Sequence, residues 1–184
     1  MNSITTMDLA ILDWIQCHLQ SPAADRFFSL VTHLGDGGIF WILLAAVFLV
    51  RPRTRRLGLA MAIALLLDVI LCNGLLKPAV ARIRPFDLQP VSLLIPAPTD
   101  DSFPSGHTAA SFAAAFALLF SRSRHWLWAM PTAAVIALSR LYLYVHYPTD
   151  ILGGIAVGFL CGWLGGILAG TWEKNPRLLR FFPK

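Results

Sequence analysis

Long apolar runs divide this sequence, and they constrain its fold more than any other feature. They lie near residues 37 to 50, 57 to 76, 104 to 120, 126 to 145 and 151 to 170. A helix of about 20 residues crosses roughly 30 Å of hydrocarbon, so the longer runs are typical of membrane spans, while the first and third are short and would need flanking residues or a locally thinner bilayer. The chain is 57% hydrophobic and only 14% charged, outside the globular norm. We therefore predict an all-α fold, a polytopic bundle of transmembrane helices.

The N-terminal part leaves the number of spans open at five or six. Residues 4–20 alternate apolar and polar side chains at helical spacing, as in a helix lying on a membrane surface. Residues 22–34 are short and polar for a span, so we favour an external amphipathic hairpin over a sixth crossing. We expect one domain throughout, with amphipathic helices in 1–36, the bundle in 37–171 and a basic tail in 172–184.

Basic residues predict the orientation, because cytoplasmic loops collect Lys and Arg. Five spans would place three basic clusters on one side of the membrane. These clusters are Arg51, Arg53, Arg55 and Arg56, then Arg122 and Arg124, then Lys174, Arg177, Arg180 and Lys184. We expect that side, with the C-terminus, to be cytoplasmic. Of the other basic residues, Lys77, Arg82, Arg84 and Arg140 fall at or near the outer face, where they would attract an anion.

The stretch "FPSGH" introduces the third apolar run. A helix beginning near Pro104 would present free N–H groups and the positive end of its dipole around Ser105, Gly106 and His107. Such a helix start can bind an anion, and glycine lets the backbone approach it closely. An ordinary capped helix entry explains the stretch equally well when it is considered alone.

The stretch "KPAVARIRPF" places two cations seven residues apart. Seven residues make about two helical turns, so Lys77 and Arg84 would project from nearly the same face. Arg82 lies off this face, and we expect it to point to lipid headgroups. Basic side chains that snorkel at a helix end are the alternative for the pair.

The stretch "SRLYLYVHYPTD" places Asp150 four residues after His146. If a tight turn precedes the last apolar run, the carboxylate can accept a hydrogen bond from one imidazole nitrogen and leave the other free. A nucleophilic or general-base histidine needs this arrangement. A purely structural hydrogen bond is the alternative for the isolated pair.

Together the three stretches resemble the signature of the type 2 phosphatidic acid phosphatase (PAP2) family. That signature reads K-x6-R-P, then P-S-G-H, then S-R-x5-H-x3-D, and every defining position matches within residues 77 to 150. The resemblance implies a helical core like that of vanadium-dependent haloperoxidases. It also implies an integral-membrane phosphatase that uses neither a metal ion nor a cofactor.

The resemblance also implies roles for individual residues. His146 would attack phosphorus and form a phosphohistidine, Asp150 would orient it, and His107 would protonate the leaving oxygen. The remaining groups would bind the phosphate oxygens, namely Lys77, Arg84, Ser105, Gly106 and Arg140.

A site at the outer membrane edge predicts a substrate whose tail stays in the lipid bilayer. The expected substrate is a lipid phosphate or diphosphate, with undecaprenyl diphosphate as the best candidate, and no nucleic acid is expected as a partner. Phosphatidylglycerophosphate and phosphatidic acid are alternatives, as is transfer of the phosphoryl group to another lipid acceptor. The oligomeric state is left open.

Three further features carry expectations. Glycines recur every four residues in the last run, at Gly154, Gly158, Gly162, Gly166 and Gly170. We expect the Ala-rich helix after His107 to pack on these glycines. Asp68 lies within an apolar run, where a carboxylate is costly. It would form a hydrogen bond with Asn73 or another helix, or be protonated; the alternative is a role in binding headgroups or transferring protons. Asp100 and Asp101 are expected to be solvated loop residues.

Overall fold

The computed structural model describes residues 3–173, and within that range the chain folds into helices and connecting loops with no strand. Its α-helices are α1 Ser3–Leu19, α2 Pro22–Val31, α3 Ile39–Val50, α4 Arg55–Asp68, α5 Lys77–Val80, α6 Pro85–Leu88, α7 Gly106–Phe120, α8 Trp126–Tyr142 and α9 Pro148–Glu173. A 3₁₀ segment, Thr32–Gly38, joins α2 to α3, and a π-helical segment, Val69–Leu76, joins α4 to α5. The predicted all-α fold is confirmed. The basic residues Lys174, Arg177, Arg180 and Lys184 lie outside the described range.

Three helical stretches are long and apolar enough to cross a membrane by length and composition, Pro22–Val50, Arg55–Leu88 and Pro148–Thr171. The shorter helix α7 is also apolar. The number of candidate spans is roughly consistent with the predicted bundle of five or six spans. The first stretch includes α2, so part of the predicted external hairpin belongs to a helix long enough to span.

The glycines of α9 allow α7 to lie directly against it. A Cβ built at Gly158 would come within 2.7 Å of the Phe112 Cβ, and one at Gly162 within 2.5 Å of the Phe116 Cβ. No side chain fits into gaps this small, so the glycines of α9 lie directly against the backbone and Cβ atoms of alanine and phenylalanine residues of α7. The predicted partner helix is therefore confirmed, although Gly170 lies near Arg56 of α4 instead.

Helix α1 packs a face of mixed polarity against the protein. Asp8, Leu9 and Leu12 are buried on this face, whereas the apolar Met7 and Trp14 are more than half exposed. Because Asp8 bonds to groups near the start of α9, this helix is tied to the same end of the bundle as the candidate site.

Asp68 ends α4 and is almost fully buried. Its Oδ1 finds no hydrogen-bond partner among residues 3–173. The expected bond to Asn73 is therefore not seen at this oxygen.

Replacing Gly158 with leucine should destabilise the bundle. The new side chain would overlap Phe112 and the carbonyl of Ala109, and overpacking of this kind typically costs about 1–3 kcal/mol. Thermal unfolding in detergent measures the effect, with Ala156→Leu as control because Ala156 is exposed on the same helix. Equal melting temperatures for both variants would contradict the close packing of α7 on α9.

Candidate active site

The histidine and aspartate of the third stretch form a buried pair at the start of α9. His146 Nδ1 lies 3.4 Å from Asp150 Oδ2, and both side chains are essentially inaccessible to solvent. The same carboxylate oxygen accepts hydrogen bonds from the Ser102 hydroxyl at 2.5 Å and the Tyr147 N–H at 3.0 Å. An ionised Asp150 therefore favours the tautomer of His146 that carries its proton on Nδ1.

The second ring nitrogen of His146, Nε2, lies against the guanidinium group of Arg84. Arg84 Nη1 lies 3.3 Å from His146 Nε2 and donates to the Val145 carbonyl at 2.6 Å. Burial lowers the pKa of His146 to about 3, although the hydrogen bond that its Nδ1–H donates to Asp150 acts in the opposite direction. The imidazole is thus neutral at physiological pH, and its free lone pair faces a cation.

Lys77 and Arg84 meet at one carboxylate, but not as neighbours on one helix. Helix α5 ends at Val80, and Ala81 adopts a left-handed conformation with φ of 45°. Arg84 is extended because the following Pro85 disfavours helical geometry. The prediction that seven helical residues align the pair is therefore wrong, although both ammonium and guanidinium groups do converge on Asp100.

Asp100 lies in a loop and is about half exposed, as the sequence predicted, but it also pairs with two cations that the sequence did not connect to it. Its Oδ2 pairs with Lys77 Nζ, and its Oδ1 accepts from Arg84 Nη2 at 2.8 Å. Partial burial raises the pKa of Asp100, but the bonds and charges of Lys77 and Arg84 outweigh this effect and bring the pKa to about 2. An ionised carboxylate therefore bridges two of the predicted phosphate-binding cations.

A cavity of about 270 Å³ opens beside this ion cluster. It is lined by Thr32, His33, Asp36, Arg84, Ile95, Pro96, Pro98, Asp100, His107 and Arg140. His107 Nε2 lies 2.9 Å from Asp36 Oδ1, and Arg140 Nη1 donates to the Thr32 hydroxyl at 2.6 Å. Arg140 Nε is buried without a hydrogen-bond partner among residues 3–173. An unpaired buried donor is unfavourable by about 1–3 kcal/mol, so this cavity is suited to an anion.

The other predicted site residues reach the cavity indirectly. His146 contacts it through Arg84, Lys77 through Asp100, and Asp150 through His146. Ser105 caps α7 and its N–H donates to the Asp150 carbonyl at 3.1 Å. Among the described residues, neither Ser105 nor Gly106 lines this cavity. A Cβ built at Gly106 would lie 4.0 Å from the Lys77 Cε, which places the start of α7 beside that lysine.

Arg82 does not face lipid headgroups, so that prediction is wrong. Its Nη1 donates to Asp150 Oδ1 at 2.5 Å and to the Thr149 hydroxyl at 2.7 Å, while Nη2 donates to Asp8 Oδ2 at 2.8 Å. The guanidinium also stacks 3.8 Å from the centre of the Tyr147 ring. The turn at Ala81 takes Arg82 off the line of α5, where a continuous helix would have kept it. Arg82 thereby holds the Asp150 oxygen that His146 does not use.

Sequence reasoning missed four polar residues that complete the site, Asp8, Thr32, Asp36 and Asp100. Each contacts a motif residue across a long sequence separation, and none belongs to a recognisable pattern. Apart from the solvation cost of burying Asp8, no signal in the sequence marked them, and Asp36 is about half exposed. Among residues 3–173, no group of three or more His, Cys, Asp or Glu side chains is arranged to hold a metal ion.

Comparisons with known proteins agree with this geometry. Residues 53–173 match the model of the PAP2 superfamily. The chain is 36% identical over 134 residues to an undecaprenyl-diphosphatase of Sulfolobus acidocaldarius, a match that covers 71% of this chain and 64% of that protein, less than two thirds of its length. It is 36% identical over 163 residues to a decaprenylphosphoryl-5-phosphoribose phosphatase of Mycobacterium tuberculosis, covering 85% of this chain and 89% of that protein. The crystal structure of a transmembrane PAP2-type phosphatidylglycerolphosphate phosphatase from Bacillus subtilis is similar with a TM-score of 0.75 and 26% identity, covering 96% of this chain and 90% of that one.

The helical membrane fold and its cation-lined cavity are those of a multi-pass membrane phosphoester hydrolase. Because the family model covers well over half of the residues, the chain belongs to the PAP2 superfamily. Its relatives support hydrolysis of membrane lipid phosphates.

Replacing Arg82 with lysine should lower turnover. Lysine is a point charge and cannot bond Asp8 and Asp150 together as the planar guanidinium does. The loss of one charge-assisted hydrogen bond, about 1.5–3 kcal/mol, corresponds to roughly 10- to 100-fold in kcat if it is felt in the transition state.

The matched control is Arg53→Lys, since Arg53 is exposed in the loop between α3 and α4. Steady-state kinetics in detergent give kcat for both variants. A folded Arg82→Lys variant with the kcat of Arg53→Lys would show that Arg82 does not support Asp150.

Proposed function

We propose that this protein hydrolyses the terminal phosphate of lipid phosphates or diphosphates through a phosphohistidine intermediate on His146. The observation that carries the proposal is the buried Arg140 Nε, which has no partner among the described residues and belongs to a side chain lining the cavity beside His107. A phosphate oxygen is the acceptor that this donor requires. Arg84 lines the same cavity and Lys77 reaches it through Asp100, so both cations would bind the remaining oxygens once Asp100 is displaced.

Substrate binding would first displace Asp100 from the two cations. Asp100 pairs with both Lys77 and Arg84 in the free protein and so takes the place of a phosphate between them. When a phosphate replaces it, Arg84 can turn from His146 Nε2 towards the phosphate oxygens and release the lone pair of the histidine. The backbone N–H groups of Gly106 and His107, at the start of α7, would add the favourable end of a helix dipole.

In the first chemical step, His146 Nε2 forms a bond to phosphorus while the bond between phosphorus and the lipid oxygen breaks. His107 donates a proton to that oxygen, so the lipid leaves as a neutral alcohol or as a protonated phosphate. The positive charge that develops on His146 is stabilised by Asp150 at 3.4 Å from Nδ1.

In the second step, water attacks phosphorus and the phosphorus–nitrogen bond breaks. The electron pair of that bond returns to His146 Nε2, and His107 takes the proton that water loses. Inorganic phosphate leaves, and both histidines regain their starting states. The cations act in both steps because the equatorial oxygens keep their negative charge throughout.

Polyprenyl-linked phosphates are the substrate class that we favour, with undecaprenyl diphosphate first. Two of the similar proteins are named for such lipids. Phosphatidylglycerophosphate is the second candidate because a structurally similar phosphatase is named for it. The positive clusters favour a cytoplasmic C-terminus and a catalytic site on the outer face of the cell membrane.

Release of inorganic phosphate from purified undecaprenyl diphosphate, phosphatidylglycerophosphate and phosphatidic acid tests the proposal. In EDTA, we expect the wild type to release phosphate and His146→Ala to lose the activity by orders of magnitude, since the covalent route is removed. His18→Ala is the matched control, because His18 is an exposed histidine at the end of α1.

Two outcomes would contradict the proposal. Turnover that persists in His146→Ala would exclude this nucleophile. Label from the lipid phosphate that appears on another lipid, and not as free phosphate, would identify a phosphotransferase.

A further inference from the structure

The 3₁₀ segment Thr32–Gly38 contributes three contacts to the candidate site although no family motif includes it. Thr32 accepts from Arg140, Gly35 lies against the ring of His107, and Asp36 bonds to the same ring. The contacts join residues 71 to 108 positions apart in the sequence.

Gly35 supplies a flat surface for the imidazole of His107. A Cβ built at Gly35 would lie 2.5 Å from His107 Cδ2 and 3.0 Å from Ile136 Cγ2. Any larger residue would therefore push the ring away from its position. The ring packs over the backbone of the linker, so rotation about its side-chain bonds is restricted.

Asp36 engages one defined nitrogen of that ring. Asp36 Oδ1 lies 2.9 Å from His107 Nε2, and Oδ2 lies 2.7 Å from His33 Nδ1. A carboxylate can only accept, so His107 must carry a proton on Nε2. Nδ1 is then the ring nitrogen left to exchange a proton with a ligand in the cavity that His107 lines.

The sign of the charge argues against a direct role for Asp36 in phosphate binding. Like charges repel, so a carboxylate that lines an anion cavity weakens binding of a phosphate unless it acts on another group. Its two described side-chain contacts are both histidines. The arrangement parallels the pair of Asp150 and His146.

We propose that Asp36 is a positioning residue for His107, which fixes the proton on Nε2 and stabilises the charged ring before it protonates the leaving oxygen. The inference rests on the proposed function, in which His107 is the general acid. When the ring donates its Nδ1 proton, the Nε2 proton stays on the hydrogen bond to Asp36. The neutral ring then presents the Nδ1 lone pair to the attacking water and recovers its proton.

A series of aryl phosphates tests this role in the activity of the purified protein. A p-nitrophenyl leaving group departs without a proton, whereas p-methylphenyl oxide requires one. We expect Asp36→Asn to reduce kcat/KM at least about tenfold for the poor leaving group and much less for the good one, as a weakened general acid does. His107→Ala should show the same selectivity more strongly.

Asp25→Asn is the matched control, because Asp25 lies in α2 and accepts from the Tyr142 hydroxyl. We expect it to leave the dependence on leaving group unchanged. Equal losses at both ends of the series in Asp36→Asn, or no loss at either end, would overturn the inference.

A spectroscopic measurement tests the inference without any turnover. In ¹⁵N-histidine-labelled protein in detergent, the ring nitrogens of His107, assigned through His107→Ala, should report a proton on Nε2. Asp36→Ala should shift the population towards the Nδ1 tautomer, and an unchanged tautomer would overturn the inference. A wild type that hydrolyses none of the aryl or lipid phosphates would contradict the proposed function, while the tautomer still decides the role of Asp36.

Discussion

The charge on one fully buried carboxylate connects the separate parts of this site. Asp150 has no exposed surface, yet it accepts from His146, Ser102, the Tyr147 backbone and Arg82. A buried carboxylate without these donors would be strongly unfavourable, because its solvation in water is lost. Through Arg82 the same network reaches Asp8, so the N-terminal helix is held to the start of α9. The positions of three chain segments thus depend on keeping this charge satisfied.

Two cations of the site, Lys77 and Arg84, are both paired with the carboxylate of Asp100. Asp100 bridges Lys77 and Arg84, whose side chains are nearly inaccessible, while Asp100 itself is about half exposed. Buried cations need such partners, since breaking a buried pair leaves an uncompensated charge. Under the proposed function, a phosphate would restore the compensation when it displaces Asp100. Binding would then exchange one set of ion pairs for another.

Most of the fold and the identity of the motif residues were predictable because they depend on local properties. Apolar runs indicate membrane helices, and the four-residue glycine spacing correctly indicated the partner of α9. The errors arose where the backbone departs from regular helix. Ala81 with φ of 45° ends α5, so the side chain of Arg82 turns to Asp150.

Other contacts depend on three-dimensional proximity, which no local pattern encodes. Asp36 reaches His107 across 71 residues, and Asp8 reaches Thr149 across 141. Their partners follow from the way the helices pack, not from the spacing of residues along any one helix. Asp8, Asp36 and Asp100, which lie outside the motifs, were therefore harder to predict than the motif residues His107, His146 and Asp150.

The central claim is that His146 bonds covalently to phosphorus, and trapping the intermediate tests it most directly. Wild-type protein would be mixed with a ³²P-labelled lipid phosphate and quenched within one turnover in alkali, since phosphohistidine is labile in acid. The account predicts labelled phosphorus on the peptide that contains His146 and none on the same peptide of His146→Ala. Label on another residue, or single-turnover release of phosphate with no labelled protein at any time, would contradict it.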